Sequence, residues 1–256
     1  MDKEEADSSL RRKARELARA AGGSQRAVVL TGAGVSSDSG IPTFREPGGV
    51  WTRFRPEDLA SSEAFARDPR LVWDWYRARA ENVKESQPNP GHLAIAEMEE
   101  LFPDFHLLTQ NVDGLHNRAG SEKIIELHGN LGRARCTACP SVFSLDEASC
   151  GEDGMPHCPF CDALARPDIV WFGEPLPPDA LEQAFELSSR AQLFFSVGTS
   201  GLVQPAASLP YLAKRGGAVL VEVNPNETPL SRECDFIFRR SASEALPAIV
   251  EAFRAL

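Results

Sequence analysis

The segment VVLTGAGVSSDSGIPTFR, residues 28–45, decides the fold expected of this chain. An apolar run ends at Thr31 and is followed by two glycines, which is typical of a strand and the turn of a dinucleotide-binding unit. In that fingerprint, G-x-G-x-x-G, the third glycine opens a helix. Here Ser37 takes the third glycine position, and Pro42 forbids a regular helix soon afterwards. We therefore predict a nucleotide-binding turn followed by a long irregular loop, residues 36–51.

The glycines of this turn predict phosphate binding. Glycine is needed where the backbone approaches a ligand closely or adopts a positive φ. A turn after a strand also presents bare N–H groups, which suit a pyrophosphate. Because structureless loops of this length in a compact domain are usually functional, we predict a mobile flap with Phe44 and Arg45 at its centre.

Short apolar segments predict a parallel sheet, because they are apolar on both faces, as in strands covered by helices on both sides. These segments are residues 27–30, 105–109, 193–197 and 218–223. Helices are predicted at 8–21, 57–66, 69–85, 91–101, 178–190, 203–215 and 243–255. The predicted fold class is therefore α/β, a Rossmann-like doubly wound parallel sheet with a small inserted module. We expect a single domain with Rossmann-like parts at 24–130 and 168–256.

Polar or glycine-rich residues follow each predicted strand, with the sequences TGAGVSS, QNVDG, GTSG and NPNET. In an open parallel sheet the ligand crevice lies beyond the carboxyl ends of the strands. We therefore predict that these segments meet at one site. The alternative is that they are ordinary connecting loops, which are polar in any case.

Cysteine spacing predicts a metal site in the inserted module, residues 131–167. The pattern C-x2-C-x18-C-x2-C is formed by Cys136, Cys139, Cys158 and Cys161. Four thiolates fill a tetrahedron and leave no open position, so we predict one structural Zn²⁺. A redox-active CxxC pair and a nucleic-acid-binding zinc ribbon are alternatives, although acidic residues in the module argue against the ribbon. Cys150 and His157 are spare donors.

Charge and hydropathy limit the classes of protein to which the chain can belong. The chain has 256 residues and a formal net charge of -10, which makes it a poor candidate for binding phosphate backbones. Its first ten residues, MDKEEADSSL, lack the apolar core of a secretory signal. No apolar run approaches the roughly 18 residues of a membrane span. We predict a cytoplasmic protein that binds neither nucleic acid nor membranes; a monomer is favoured, although the oligomeric state is left open.

Taken together, these motifs resemble the sirtuin family, the NAD-dependent protein lysine deacylases. The matching segments lie in the family's order between residues 28 and 226 and are GAGVSSDSGIPTFR, TQNVDGLH, ELHG, the CxxC pairs, VWFGE, GTS and VEVNP. The resemblance implies that NAD is consumed as a cosubstrate and that acyl-lysine proteins are the substrates. The implied products are free lysine, nicotinamide and O-acyl-ADP-ribose.

The resemblance implies catalytic roles for His128, Asn111 and Asp113. A neutral imidazole suits proton abstraction from a ribose hydroxyl, and His128 lies between the strand-like segment IIEL and Gly129. The implied NAD-binding residues are Gly32, Ala33, Gly34, Ser36, Ile41, Pro42, Thr43, Phe44, Arg45, Trp51, Gln110, Asn111, Val112, Asp113, His128, Gly198, Thr199, Ser200, Asn224, Pro225, Asn226 and Ala242.

A pair of residues in the predicted helix 69–85 indicates which acyl group the protein prefers. Tyr76 and Arg79 are three apart and share a helix face, where a phenol and a guanidinium could clamp a carboxylate. The alternative is an exposed arginine beside a half-buried tyrosine. The pair is similar to the Y-x-x-R of the sirtuin branch that prefers acidic acyl groups, which implies desuccinylation alongside deacetylation.

The resemblance also implies residues that pair with an extended substrate peptide, by addition of a strand to the protein. These residues are Val170, Trp171, Phe172, Gly173, Glu174 and Val203. Functions of other classes remain open at this point. They are an NAD-linked oxidoreductase, a non-catalytic NAD-binding module and, within the same class, a mono-ADP-ribosyltransferase.

Overall fold

The computed structural model describes residues 3–43, 50 and 55–256. Within these ranges the strands, in chain order, are β1 (Arg26–Thr31), β2 (Asp104–Thr109), β3 (Ile124–Glu126), β4 (Gly129–Cys136), β5 (Val142–Ser144), β6 (Ser149–Cys150), β7 (Pro156–His157), β8 (Ala165–Ile169), β9 (Leu193–Val197), β10 (Val219–Val223) and β11 (Phe236–Phe238). The helices are α1 (Lys3–Ala20), α2 (Pro56–Leu59), α3 (Ser62–Arg67), α4 (Pro69–Glu85), α5 (Pro90–Leu101), α6 (Leu115–Arg118), α7 (Pro178–Ser189), α8 (Leu209–Arg215) and α9 (Ala242–Arg254).

A six-stranded sheet forms the centre of the molecule, with the strand order β11-β10-β9-β1-β2-β3. Every neighbouring pair in it is parallel. The first strand, β1, lies in the middle, with β2 and β3 on one side and the later strands on the other. The strand order therefore reverses between β1 and β9, which is where open α/β sheets bind ligands. The predicted α/β fold with a doubly wound parallel sheet is confirmed.

Helices cover both faces of this sheet because successive strand residues point to opposite sides. On one face Val29 and Phe195 are buried in a cluster with residues of α1, α5 and α9. On the other face Val28 and Phe194 are buried with residues of α7 and α8. This two-sided burial explains why the strands are apolar throughout instead of alternating with polar residues.

A smaller antiparallel sheet, in the order β5-β4-β8, carries the cysteine-rich segment. Helix α4 packs on it, and the indole nitrogen of Trp73 donates a hydrogen bond to the backbone carbonyl of Ala165, at 2.8 Å. The remaining strands of this region, β6 and β7, form a two-stranded antiparallel pair. This sheet lies on the same chain segment as the predicted zinc module.

Buried charges connect the two sheets. The carboxylate of Asp168, on β8, has a side chain only 5% exposed and accepts hydrogen bonds from Arg133 Nε at 2.9 Å and Arg135 Nη2 at 2.8 Å. The Nη2 atom of Arg133 also lies 2.6 Å from Oε2 of Glu126, on β3 of the central sheet. The small sheet is therefore fixed to the edge of the large one.

Several predicted elements differ in detail from the structure. The predicted helix 57–66 is divided into α2 and α3, because the side chain of Ser61 caps α3 by accepting from the Ala64 N–H. The loop expected after the glycine turn begins with a 3-10 helix, Ala33–Ser39. The predicted helix 203–215 becomes a 3-10 turn, Ala206–Ser208, followed by α8. The short edge strand β11 was not predicted. No helix in the described ranges is long and apolar enough to cross a membrane.

Replacing Asp168 by Asn tests the buried ion cluster of the small sheet. The change leaves two guanidinium groups without their buried carboxylate. Because both guanidinium groups are partly exposed, we expect the free energy of unfolding to fall by about 2–3 kcal/mol, at or below the low end for a buried pair. Chemical denaturation followed by circular dichroism measures it. The matched control is Glu97→Gln, which breaks an exposed ion pair with Arg254 and should cost at most about 0.5 kcal/mol. Equal effects of the two changes would contradict the assignment.

Candidate active site

A cavity of about 530 Å³ opens beyond the carboxyl ends of the central strands. Residues that follow four of the strands line it, namely Gly32 to Gly34 after β1, Gln110 to Val112 after β2, Gly198 to Ser200 after β9 and Asn224 to Thr228 after β10. The predicted meeting of the polar strand ends at one site is therefore confirmed. The cavity lies at the reversal of strand order between β1 and β9.

The two glycine-containing loops of the cavity pack backbone against backbone. The N–H of Gly32 donates to the Val197 carbonyl at 3.0 Å, and the N–H of Gly34 donates to the Gly198 carbonyl at 2.8 Å. A Cβ on Gly34 would lie 2.8 Å from the Gly198 backbone, and one on Gly198 would lie 2.4 Å from Val35 N. The N–H groups of Gly32 and Gly34 are therefore used within the protein. These glycines allow the two loops to approach each other.

Side-chain amides link the strand ends around Thr199. The Nε2 atom of Gln110, after β2, donates to Thr199 Oγ1 at 3.1 Å. The Nδ2 atom of Asn224, after β10, donates to the Thr199 carbonyl at 2.9 Å. Residues from three separate segments of the chain are thereby held in one wall of the cavity.

His128 lines the cavity with a defined hydrogen-bonding pattern. Its Nδ1 lies 3.0 Å from the backbone oxygen of Gln110. Since a carbonyl can only accept, Nδ1 carries the hydrogen, and the lone pair of the neutral ring is on Nε2. Burial lowers the pKa of His128 below its ordinary value, and the hydrogen bond to Gln110 opposes this shift. The ring is therefore neutral near pH 7.

The backbone on both sides of His128 is also fixed. Its carbonyl accepts from Val170 N at 3.0 Å. The next residue, Gly129, has φ +84°, and a Cβ there would lie 1.9 Å from the Asp168 carbonyl. Glycine at this position lets the end of β3 turn tightly into β4 beside β8. The imidazole is consequently placed by the same strands that connect the two sheets.

A network of polar groups lies behind Asn111. The Asn111 Nδ2 donates to Ser36 Oγ at 3.2 Å, and Ser36 Oγ donates to Asp113 Oδ2 at 2.8 Å. The Leu115 N–H donates to the other carboxylate oxygen of Asp113 at 3.0 Å. Asn111 lines the cavity, whereas Ser36 and Asp113 do not. Asp113 therefore does not contact the cavity directly, but helps to orient the Asn111 side-chain amide that lines it.

Two buried histidines adjoin this network. Burial lowers the pKa of His92 to about 4, although the charge of Asp113 opposes the shift. Burial and the neighbouring His92 lower the pKa of His116 to about 3. Their ring centres lie 4.8 Å apart, and His92 Nε2 lies 3.3 Å from Ser36 Oγ. Both rings are neutral at physiological pH, so the region carries the negative charge of Asp113 without a compensating imidazolium.

Helix α4 brings Tyr76 and Arg79 to another wall of the same cavity. The Tyr76 hydroxyl accepts from Trp171 Nε1 at 3.0 Å, and burial raises the pKa of Tyr76 to about 12. The Arg79 guanidinium carbon lies 4.8 Å from the centre of the Trp75 ring. Burial lowers the pKa of Arg79, while the charges of Tyr76 and Asp113 oppose the shift. The phenol and the guanidinium therefore face one space, one turn apart.

Most of the predicted site residues line the cavity. Of the predicted catalytic, NAD-binding and substrate-binding residues that the structure describes, the ones that do not line it are Ser36, Ile41, Pro42, Asp113 and Ala242. Ala242 is the first residue of α9 and is buried, and the preceding Ser241 lines the cavity instead. Phe44, Arg45 and Trp51 lie outside the described residues, so their predicted NAD contacts and the proposed flap stay predictions.

Sequence reasoning missed several lining residues, including Ser241, Trp75 and Pro229. A signal existed for Ser241, because S-x-x-E is a capping box that marks the start of a helix. Trp75 is four residues before Arg79 and so lies on the same face of α4. Pro229 directly follows the predicted polar segment NPNET, residues 224–228, and had no distinctive pattern of its own.

The four predicted cysteine ligands form a compact cluster, with all sulfur atoms within 4.8 Å of one another. The Sγ atoms of Cys136 and Cys161 are 3.5 Å apart, and Cys139 Sγ lies 3.8 Å from that of Cys158. Zn–S bonds of about 2.3 Å in a tetrahedron require sulfur separations of about 3.8 Å. The cluster therefore fits one Zn²⁺. Cys150 and His157 are not part of it.

Comparison with known proteins identifies the family. A model of the Sir2 family matches residues 32–205. The chain belongs to the Sir2 family. The resemblance to the sirtuins is thereby confirmed. An NAD-dependent protein deacylase of Aquifex aeolicus (strain VF5) is 51% identical over 227 residues, which cover 89% of this Sir2-family chain and 95% of that protein.

Solved Sir2 structures share the fold. A complex of a Sir2 homologue with NAD has a TM-score of 0.87 and 48% identity, and covers 94% of this chain and 93% of that one. A complex of Sir2 with a p53 peptide and NAD⁺ has a TM-score of 0.81 and 35% identity, and covers 94% of this chain and 98% of that one. NAD is the cosubstrate of this Sir2-family enzyme, and the crevice fits it, because amides and hydroxyls of four strand ends surround a space at the switch point.

Replacing Cys158 by Ser tests the zinc site. The change removes one of four thiolates, so we expect the purified protein to lose most of its single equivalent of zinc and to melt at a lower temperature. Elemental analysis and a thermal scan measure both. The control is Cys150→Ser, in the same region but outside the cluster, which should retain one equivalent. Full zinc content in Cys158→Ser would contradict the four-thiolate site.

Proposed function

We propose that this Sir2-family chain is an NAD-dependent protein lysine deacylase that prefers acyl groups ending in a carboxylate, such as succinyl, and also removes acetyl. The observation that carries the proposal is that Tyr76 and Arg79 line the same cavity as His128 and Asn111. Groups suited to the cosubstrate, to proton transfer and to a terminal carboxylate therefore surround one space.

Bound NAD supplies the ADP-ribosyl group that accepts the acyl group, with nicotinamide as the leaving group. We assign its ribose and phosphate contacts to Thr199, Ser200 and Asn224, because their hydroxyl and amide groups lie on the β9 and β10 side of the cavity. Gln110 and Asn111, after β2, are assigned to the nicotinamide end. Gly32 and Gly34 shape the cavity between these two regions. Their N–H groups donate to Val197 and Gly198, so we do not assign them to phosphate binding.

His128 is the proposed general base. Its Nδ1–H is held by the Gln110 carbonyl, so the lone pair on Nε2 is available to take a proton from a sugar hydroxyl. Because burial keeps the ring neutral, the base is in its active form at physiological pH. Asn111 is the proposed amide contact to the cosubstrate, and Asp113 fixes its orientation through Ser36.

The acyl preference follows from the chemistry of the α4 wall. Arg79 provides a cation with a planar array of donors, which matches a carboxylate in charge and geometry. Tyr76 is protonated at physiological pH, as a tyrosine ordinarily is, and can donate; burial raises its pKa further, to about 12. An acetyl group ends in a methyl and gains neither contact. Apolar residues such as Ala60 and Val112 also line the cavity and suit the aliphatic part of the chain.

Proteins that carry acyl-lysine are the proposed substrates. The residues from Val170 to Glu174, together with Val203, line the cavity and could pair with an extended peptide on either side. Phe172 and Leu202 are exposed large apolar side chains at the same place. Recognition of a peptide through its backbone depends little on its side chains. We therefore expect broad tolerance of the sequence around the acyl-lysine.

One assay separates the remaining functions. Incubation of the enzyme with NAD and a succinyl-lysine peptide should release nicotinamide and form O-acyl-ADP-ribose. Reduced cofactor would indicate the oxidoreductase alternative. Transfer of ADP-ribose onto protein without loss of the acyl group would indicate a mono-ADP-ribosyltransferase.

The pH dependence of kcat/KM tests the role of His128. Its pKa is lowered by burial, so the neutral base persists to lower pH than that of an exposed histidine. Activity should fall with decreasing pH, with a midpoint below the ordinary histidine value of 6.5. His106→Gln, a change on β2 outside the cavity, should leave the profile unchanged. A midpoint at or above the ordinary value would refute the assignment.

Replacing Arg79 by Met tests the acyl preference. Loss of charge-assisted hydrogen bonds to the acyl carboxylate should lower kcat/KM for a succinyl-lysine peptide about 10- to 100-fold. The acetyl-lysine peptide of the same sequence offers no carboxylate and should be affected far less. Kinetics on both peptides measure the ratio.

The matched control is Arg77→Met on the same helix. Arg77 is exposed, forms an ion pair with Asp74 at 3.6 Å and does not line the cavity. This change should leave the succinyl-to-acetyl ratio as in the wild type. Undiminished desuccinylation by Arg79→Met would show that the carboxylate is bound elsewhere.

A further inference from the structure

We propose that Trp171 determines acyl specificity by orienting the hydroxyl of Tyr76, an inference that rests on the acyl preference proposed above. The indole Nε1 of Trp171 donates a hydrogen bond to the Tyr76 hydroxyl at 3.0 Å. The side chains belong to segments 95 residues apart in the chain, and both are buried. Trp171 thus acts on the acyl group through Tyr76, as a positioning residue.

The direction of this hydrogen bond fixes the role of the tyrosine. An indole nitrogen can only donate, so the Tyr76 oxygen is the acceptor and its own hydrogen is not used in the bond. The hydrogen of a phenol prefers the plane of its ring, which offers two orientations, and the Trp171 N–H disfavours the one that points towards it. Because Tyr76 lines the cavity, the orientation that remains makes it a ready donor to a ligand there.

The indole itself is held firmly. The guanidinium carbon of Arg166 lies 3.5 Å from the centre of the Trp171 ring, a cation–π contact. Arg166 is fixed in turn by two hydrogen bonds to the carboxylate of Glu174, at 2.6 and 2.9 Å. The same carboxylate accepts from the Trp171 backbone N–H at 2.9 Å. The donor to Tyr76 therefore has little freedom to rotate away.

The effect of orienting the Tyr76 hydroxyl depends on the acyl group that is bound. A terminal carboxylate needs donors pointed at it, and a preoriented hydroxyl avoids the cost of ordering one on binding. An acetyl group has no acceptor at that position. Removing the indole N–H therefore weakens the binding of acidic acyl groups selectively, whereas general damage to the site would affect both substrates alike.

The test is Trp171→Phe, assayed on succinyl- and acetyl-lysine peptides of one sequence with NAD. We expect the succinyl-to-acetyl ratio of kcat/KM to fall about two- to tenfold, because the Tyr76 hydroxyl remains and only has to be ordered when the acyl group binds. The same change is then made in a Tyr76→Phe background. There it should alter the ratio no further, because the hydroxyl that Trp171 orients is absent. An equal fall in both backgrounds would mean that the change acts through cavity shape, and would overturn the proposal.

Trp73→Phe is the matched control. This indole is also buried and also donates one hydrogen bond, to the Ala165 carbonyl, but it does not line the cavity. Both changes remove one indole N–H and a similar volume from the same core cluster. Thermal unfolding should show comparable destabilisation, while Trp73→Phe keeps the wild-type ratio. A similar fall in the ratio for Trp73→Phe would overturn the proposal.

If Trp171→Phe does not fold, replacing the indole at position 171 by benzothiophene keeps the two-ring shape and substitutes sulfur for the N–H. The same fall in ratio is expected. The wild-type enzyme should favour succinyl, and Arg79→Met should lose this preference. If both hold but the two Trp171 variants keep the preference, the orienting role of Trp171 is refuted and the proposed acyl preference stands. A wild-type enzyme without any succinyl preference refutes the proposed acyl specificity and this inference together.

Discussion

A backbone-to-backbone contact between two loops underlies the candidate active site. The Gly34 N–H donates to the Gly198 carbonyl at 2.8 Å, and a Cβ on either residue would collide with the other loop. These loops follow β1 and β9, the strands between which the order of the sheet reverses. Their close approach closes the base of the crevice. It also brings Thr199 within reach of Gln110 and Asn224, so that four strand ends form one wall.

Burial then sets the charge state of the groups around this crevice. His128 has its pKa lowered by desolvation, which suits a base that works as a neutral ring. Formal charges that lie deep are paired, as Asp168 is with Arg133 and Arg135, or Glu174 with Arg166. These ion pairs hold β4 and β8, the strands next to which His128 and Trp171 lie. These paired charges therefore contribute to the site by positioning its neutral groups, whereas Arg79 lines the cavity itself.

The sequence predicted the residues of the site better than their physical roles. Gly32 and Gly34 were identified correctly as cavity residues, but their N–H groups bond to another loop. Tyr76 and Arg79 could be placed on one helix face, since a spacing of three is a local property. The partnership of Tyr76 with Trp171 could not be predicted, because it joins segments 95 residues apart. Ala242 does not line the cavity, whereas the preceding residue, Ser241, does.

The sequence by itself determined the alternation of buried strands and helices, the parallel sheet, the four-cysteine metal cluster and the membership of the Sir2 family. These are consequences of periodicity, spacing and short motifs, which each operate within a local stretch of chain. Only the tertiary structure decided the tautomer of His128, the hydrogen-bond partner of Tyr76 and which polar groups line the crevice. Those properties depend on burial and on hydrogen bonds between distant segments, and neither exists until the chain has folded.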